Sequence, residues 1–225
     1  MYKALSFWIC FLLLAGCGRS GKDAGSVKDE EAGAAANPSR DEKKKVIIFF
    51  GNSLTAGYGL KMSEAYPALI QSKIDSLGLP YSVVNAGVSG ETTASGDSRV
   101  DWILESPVDV FVLELGGNDG LRGIPVGETS KNLQSIIGKV KARYPEAKIV
   151  LAGMQVPPNM GKAYADEFSG IYPKLAEANH IYLIPFLLER VGGERSLNLP
   201  DGIHPTAEGH KIVAETVWEV LQDVL

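Results

Sequence analysis

Four short blocks of this chain carry the groups that acyl transfer to water requires: Gly51-Asn52-Ser53-Leu54, Gly87-Val88-Ser89-Gly90, Gly116-Gly117-Asn118-Asp119 and Asp201-Gly202-Ile203-His204-Pro205. The reaction takes a hydroxyl, a base to receive its proton, an acid to orient that base, and N–H donors aimed at the developing oxyanion. Ser53 offers the hydroxyl among small neighbours. His204 is one of three histidines and lies between Gly202 and Pro205, in loop sequence of the kind that carries functional groups. Asp201 precedes it by three residues, so a single turn can bring the carboxylate to Nδ1 and leave Nε2 for Ser53. Asn118 can turn its amide toward an oxyanion, and the backbone N–H groups of Ser53 and Gly90 can join it.

Such groups must be brought together by the elements that precede them. Residues 46–50, 82–85, 108–115, 148–152 and 181–184 are short, Val- and Ile-rich runs that read as five strands buried on both faces. Helical patterns alternate with them. Leu133, Ile136, Ile137 and Val140 recur at helical spacing, and that helix should stop before Tyr144-Pro145. Ser63 is the expected cap of a helix burying Leu69, Ile70, Ile74 and Leu77, and the C-terminal segment from Thr206 carries Val213, Val217, Val220 and Leu221 on one face. This alternation predicts an α/β fold, a parallel sheet with helices on both faces and ligands beyond the C-terminal strand ends. Each of the first three blocks directly follows a strand, and the fourth lies downstream of strand five.

Taken singly, Gly-Asn-Ser-Leu is an ordinary turn, and a lone histidine is usually structural. His180 and His210 read as structural or exposed, and Asp119 and Arg122 as shaping the loop beside Asn118, with a helix cap as the alternative for Asp119. Gly57 and Gly59 suggest a phosphate cradle, but Ala56 stands where a Walker loop needs its second glycine and no Lys-Ser/Thr pair follows. Thr55 likewise breaks the G-x-S-x-G elbow. The order of the four blocks, with acid and base together in the last, is what specifies a hydrolytic site.

In that order the blocks resemble the SGNH or GDSL hydrolase family. "LELGGNDGLRG" at 113–123, "FSGIYPKLA" at 168–176 and "DGIHP" at 201–205 are similar to its branch of multifunctional thioesterases, lysophospholipases and arylesterases. The resemblance covers residues 47 to about 220. It implies a flavodoxin-like three-layer sandwich with strand order 2-1-3-4-5, catalytic Ser53, Asp201 and His204, and oxyanion donors on Ser53, Gly90 and Asn118. It also implies a small-molecule ester or lipid substrate, with acyl esters and thioesters, aryl esters and lysophospholipids as the class, and neither cofactor nor metal. The alternatives are a glycan O-deacetylase using the same site and a non-catalytic lipoprotein that binds lipid or glycan. Val156, Pro157 and Met160, in the loop after strand four, are candidates to line the acyl pocket. One departure stands out. The family's first block usually reads Gly-Asp-Ser-Leu, and this chain has Asn52 in the Asp position.

The N-terminus has a separate character. Lys3 precedes an apolar run, 4–14, that is too short to span a bilayer comfortably, and Leu14-Ala15-Gly16-Cys17 resembles a bacterial lipobox. The expected organisation is a signal peptide at 1–16, a disordered tether at 17–45 with lipidated Cys17, and a hydrolase domain at 46–225. Acylated Cys17 would attach the exported protein to a membrane, on the periplasmic side. Cys10 would leave with the signal, which excludes disulfides, cysteine nucleophiles and cysteine metal sites. The tether has one aliphatic residue larger than Ala, and its flexible length corresponds to about 30 Å. From Cys17 onward 21 Lys and Arg face 27 Asp and Glu, a net charge of −6 that argues against nucleic acid as a partner. Nothing in the sequence sets an oligomeric state.

Overall fold

The computed structural model describes residues 44–225. The expected signal, Cys17 and nearly all of the expected tether lie outside these residues; Lys45, assigned to the tether, already belongs to the first strand.

Five strands, β1 (Lys45–Gly51), β2 (Tyr81–Gly87), β3 (Val110–Glu114), β4 (Lys148–Ala152) and β5 (Tyr182–Ile184), form one parallel sheet in the order 2-1-3-4-5. The helices are α1 (Ser53–Ala56), α2 (Tyr66–Ser76), α3 (Thr93–Ile103), α4 (Gly117–Leu121), α5 (Val126–Arg143), α6 (Lys162–Ser169), α7 (Ile171–Asn179) and α8 (Ala207–Leu221). The step from β1 to β2 runs opposite to the later steps along the sheet. Right-handed crossovers therefore place α2 on one face and α3, α5 and α7 on the other. The packing agrees, since α2 meets α8 while α5 meets both α3 and α7. This is the expected three-layer architecture.

Ile47, Ile48, Phe49 and Phe50 of β1 and the whole of β3 are buried, as unbroken apolar runs in a central parallel strand require. β2 and β5 depart from the expectation of burial on both faces: they are the sheet's edges, and Val84 and Tyr182 are exposed. α5 stops at Tyr144, just before Pro145, and α8 is capped by Thr206, whose hydroxyl accepts the Gly209 N–H. Val213, Val217 and Leu221 are buried as expected, with Val220 half-buried.

Two details of α2 differ from the sequence reading. Ser63 lies inside a short turn, Met62–Glu64, and the cap position falls to Ala65, with Pro67 in the first helical turn. The ring of His210 completes the cap from α8, its Nδ1 accepting the Tyr66 N–H at 3.1 Å. Leu77 lies past the helix end and is 57% exposed, because the chain turns away at Gly78 with φ +64.

The C-terminal strand ends align Gly87, Gly51 and Glu114 across β2, β1 and β3. The crevice between β1 and β3, where the direction of winding reverses, is where a sheet of this kind places its ligand.

Candidate active site

β1 ends at Gly51, and the chain turns at once into α1, a single turn framed by two caps. Asn52 is its N-cap, with Oδ1 accepting the Leu54 N–H at 2.9 Å. Gly57, in the left-handed conformation at φ +76, closes the other end and donates to the Ser53 carbonyl. Ser53 is thus the first residue of a helix, where a backbone N–H has no intrahelical acceptor. Its hydroxyl lies 2.8 Å from His204 Nε2.

His204 reaches that position from a long loop before α8. Asp201 Oδ1 accepts the N–H groups of both Ile203 and His204, at 3.0 and 3.1 Å, which folds the segment into a tight turn over Gly202. Its other oxygen, Oδ2, lies 2.8 Å from His204 Nδ1. The Ile203 N–H and, after it, the imidazole hold the Asp201 carboxyl down at about 2, so it is ionised and can only accept. Nδ1 must therefore donate, and Nε2 presents its lone pair to the Ser53 hydroxyl. Tyr58 covers the imidazole, ring centroids 4.5 Å apart.

Asn118 enters from α4, after β3, and lines the same cavity as Ser53. One N–H of its amide donates to the Glu91 carbonyl at 2.9 Å, leaving the second available. Glu91 is itself fixed by a two-point pair with Arg99, at 2.7 and 2.5 Å, and Arg99 lies over the Phe50 ring. Gly90, at φ +82, is exposed beside it, and its carbonyl accepts from Arg122 at 3.1 Å. Asp119 is wholly buried and caps α3 through the Thr93 N–H and hydroxyl.

Ser53, Asn118 and His204 open onto a cavity of about 410 Å³ whose other walls are largely apolar, with Leu54, Leu121, Met154, Phe186 and Ile203 among them. Val156 and Pro157 line it. Met160, in the turn Pro158–Met160, and Gly90 are not among the residues that do. Among the described residues no cluster of His, Cys, Asp or Glu is arranged to hold a metal.

A family comparison matches residues 49–212 to the GDSL-like Lipase/Acylhydrolase family. The chain belongs to that family. Members of this GDSL or SGNH group work through a Ser-His-Asp triad, and the chain is an ester hydrolase of the group. It is 39% identical over 182 residues to the esterase TesA of Pseudomonas aeruginosa, covering 80% of this chain and 90% of the relative. It is 38% identical over 180 residues to the "Thioesterase 1/protease 1/lysophospholipase L1" of Escherichia coli, covering 80% and 84%. A crystal structure of a TesA superposes with a TM-score of 0.77 at 39% identity, covering 80% of this chain and 100% of that one.

Two parts of the GDSL site went unremarked in the sequence. Tyr58 was hidden among the glycines of an apparent turn. Glu114 is wholly buried and bonded to Asn52; its signal was a carboxylate inside a strand otherwise fit for burial on both faces.

Proposed function

We propose that this hydrolase forms an acyl-enzyme at Ser53, with His204 as base and then acid and Asp201 as the group that orients it. The observation that carries the reading is the unbroken line from Ser53 Oγ to His204 Nε2 and from His204 Nδ1 to Asp201, each step 2.8 Å. The Ser53 oxygen attacks the ester carbonyl carbon while its proton passes to Nε2. The oxyanion that forms is met by the Ser53 and Gly90 N–H groups and the free amide N–H of Asn118. Asp201 stabilises the imidazolium without taking the proton. The imidazolium then protonates the leaving alkoxide or thiolate as the carbonyl re-forms. Water repeats the sequence, with His204 as base, and releases the acid.

Acyl esters and thioesters, including aryl esters and lysophospholipids, are the substrate class. The apolar walls supplied by Leu54, Val156 and Phe186 suit an acyl chain longer than acetyl, and the names of the relatives agree with that range. Lipidated Cys17 would hold the enzyme at a membrane on the periplasmic side. A Cys17→Ser chain should then lose its N-terminal acyl groups by mass spectrometry and leave the membrane fraction.

Ser53→Ala removes turnover of para-nitrophenyl esters and the adduct that a phosphonate forms at this residue. Full activity of purified Ser53→Ala would sink the mechanism. Asn118→Ala lowers transition-state stabilisation by about 3 kcal/mol if its amide meets the oxyanion. A series of acyl lengths separates this reading from a deacetylase, whose rate would collapse beyond acetyl.

A further inference from the structure

Glu114 is a buried ionisable group to which the proposed mechanism gives no task. It ends β3, is 0% exposed, and sits beside Gly51 in the sheet register. Three donors converge on its carboxylate. Oε1 accepts from Asn52 Nδ2 at 2.7 Å, while Oε2 accepts from the Asn52 N–H at 3.1 Å and the Thr55 hydroxyl at 2.8 Å. Thr55 in turn lies 2.7 Å from the Tyr66 hydroxyl, which donates to it once Thr55 donates to Glu114. All of these donors belong to the turn that carries Ser53 or to the helix behind it.

The amide orientation of Asn52 follows from its surroundings. Its Oδ1 must face the Leu54 N–H, and its Nδ2 must face the carboxylate. A carboxylate in place of that amide would put two acceptors in contact at the Glu114 distance, an arrangement that persists only with a proton shared between them. Asn supplies a permanent donor instead.

We propose that Glu114 is a positioning residue for the nucleophile, acting through Asn52, and that Asn52 lets it do so with no proton held between the two side chains. The proposal rests on Ser53 as nucleophile. Asn52 caps α1, with Oδ1 accepting the Leu54 N–H at 2.9 Å, so its rotamer sets the course of the turn that carries the Ser53 side chain and N–H. The hydroxyl proton itself goes to His204. Burial pushes the Glu114 carboxyl up to about 7 against the pull of Thr55 and Asn52, so the carboxylate that accepts from Asn52 is the form present above pH 7, where the kcat comparisons below are made. The titratable groups around it are Tyr66 on α2 and Tyr172 on α7, both raised well above 10 by burial and neutral in this range. His210 on α8 stacks on Tyr66, and Asp119 on α4 is held by Thr93.

The test exchanges donor and acceptor. Glu114→Gln leaves the new amide N–H opposed to a donor in either orientation, and kcat for para-nitrophenyl acetate should fall by roughly 10- to 100-fold, with KM changed less. Asn52→Asp should add an alkaline limb to the kcat profile as the shared proton is lost. The double variant restores the match, because the new amide donates to the new carboxylate. It should recover kcat to within about threefold of wild type, a residual of under 1 kcal/mol, and lack the added limb. Either an Asn52→Asp profile superimposable on wild type or a folded double variant no faster than its slower parent overturns the proposal. If Glu114→Gln does not fold, the Asn52→Asp profile decides alone. Phosphonate labelling of wild-type Ser53 tests the underlying nucleophile separately, so the two failures are distinguishable.

Discussion

The turn carrying Ser53 and the loop carrying His204 meet at one 2.8 Å hydrogen bond, yet they are held in different ways. The Ser53 turn sits on buried polar groups: Asn52, Thr55, Glu114 and, through Tyr66, His210. The His204 loop is held from within, by the Asp201 carboxylate gathering two of its N–H groups and by the Leu199 N–H donating to the His204 carbonyl at 2.7 Å. Damage to the first should therefore disturb folding and catalysis together. Damage to the second should disturb catalysis alone.

Apart from Ser53 itself, the largest effects should appear in the outer loop. His204→Ala should lower kcat by about 10⁶-fold and Asp201→Asn by about 10⁴-fold, the latter by reversing the imidazole tautomer. Thermal melting of His204→Ala should match wild type, and Asp201→Asn should lose only the small contribution of a partly exposed carboxylate; a large drop in melting temperature would erase the contrast.

The pH dependence of stability follows next, and it belongs to the buried turn. Burial lowers the His210 imidazole from 6.5 to about 4, so its contribution is present above pH 6.5 and lost as pH falls toward 4. Glu114 has the opposite sign. Raised from 4.5 to about 7, its contribution is present below pH 4.5 and lost as pH rises through 7. Each is on the order of 3 kcal/mol, and over this window they oppose one another. Urea unfolding of wild type between pH 4.5 and 6.5 should therefore vary little, whereas Glu114→Gln should gain stability steadily as pH rises. A flat profile in that variant would contradict the assignment to His210.

Gly51→Ala should cost about 1–3 kcal/mol by urea unfolding, since the added methyl would run into the Thr55 hydroxyl and both ends of Glu114. The smallest expected effect is at Tyr58, half exposed over the imidazole. Its ring face stabilises imidazolium by about 0.5–1 kcal/mol, so Tyr58→Ala should slow kcat two- to fivefold, ~1 kcal/mol at most. A loss comparable with that of Asp201→Asn would place Tyr58 inside the catalytic machinery.

Legibility in the sequence followed the same division. The sheet could be read because central parallel strands are continuous apolar runs, and β4 falls where its pattern puts it. Asp201 and His204 could be read because a three-residue turn is local. The seat of Ser53 could not, since it joins Asn52 to Glu114 across 62 residues and Tyr66 to His210 across 144. No periodicity records such pairings. The misplaced cap at Ser63 has the same origin: the group that completes the N-terminus of α2 comes from α8.

Asn118 holds to Glu91, Glu91 to Arg99, and Arg99 to the face of Phe50 in the central strand. The amide is thereby preorganised before any ester arrives. A tetrahedral mimic such as a boronate would meet a donor that has no rotamer freedom left to lose, so ordering Asn118 would contribute little to the entropy of inhibitor capture. Arg99→Lys, which breaks the two-point grip without touching the cavity wall, should surface as a less favourable binding entropy in calorimetry.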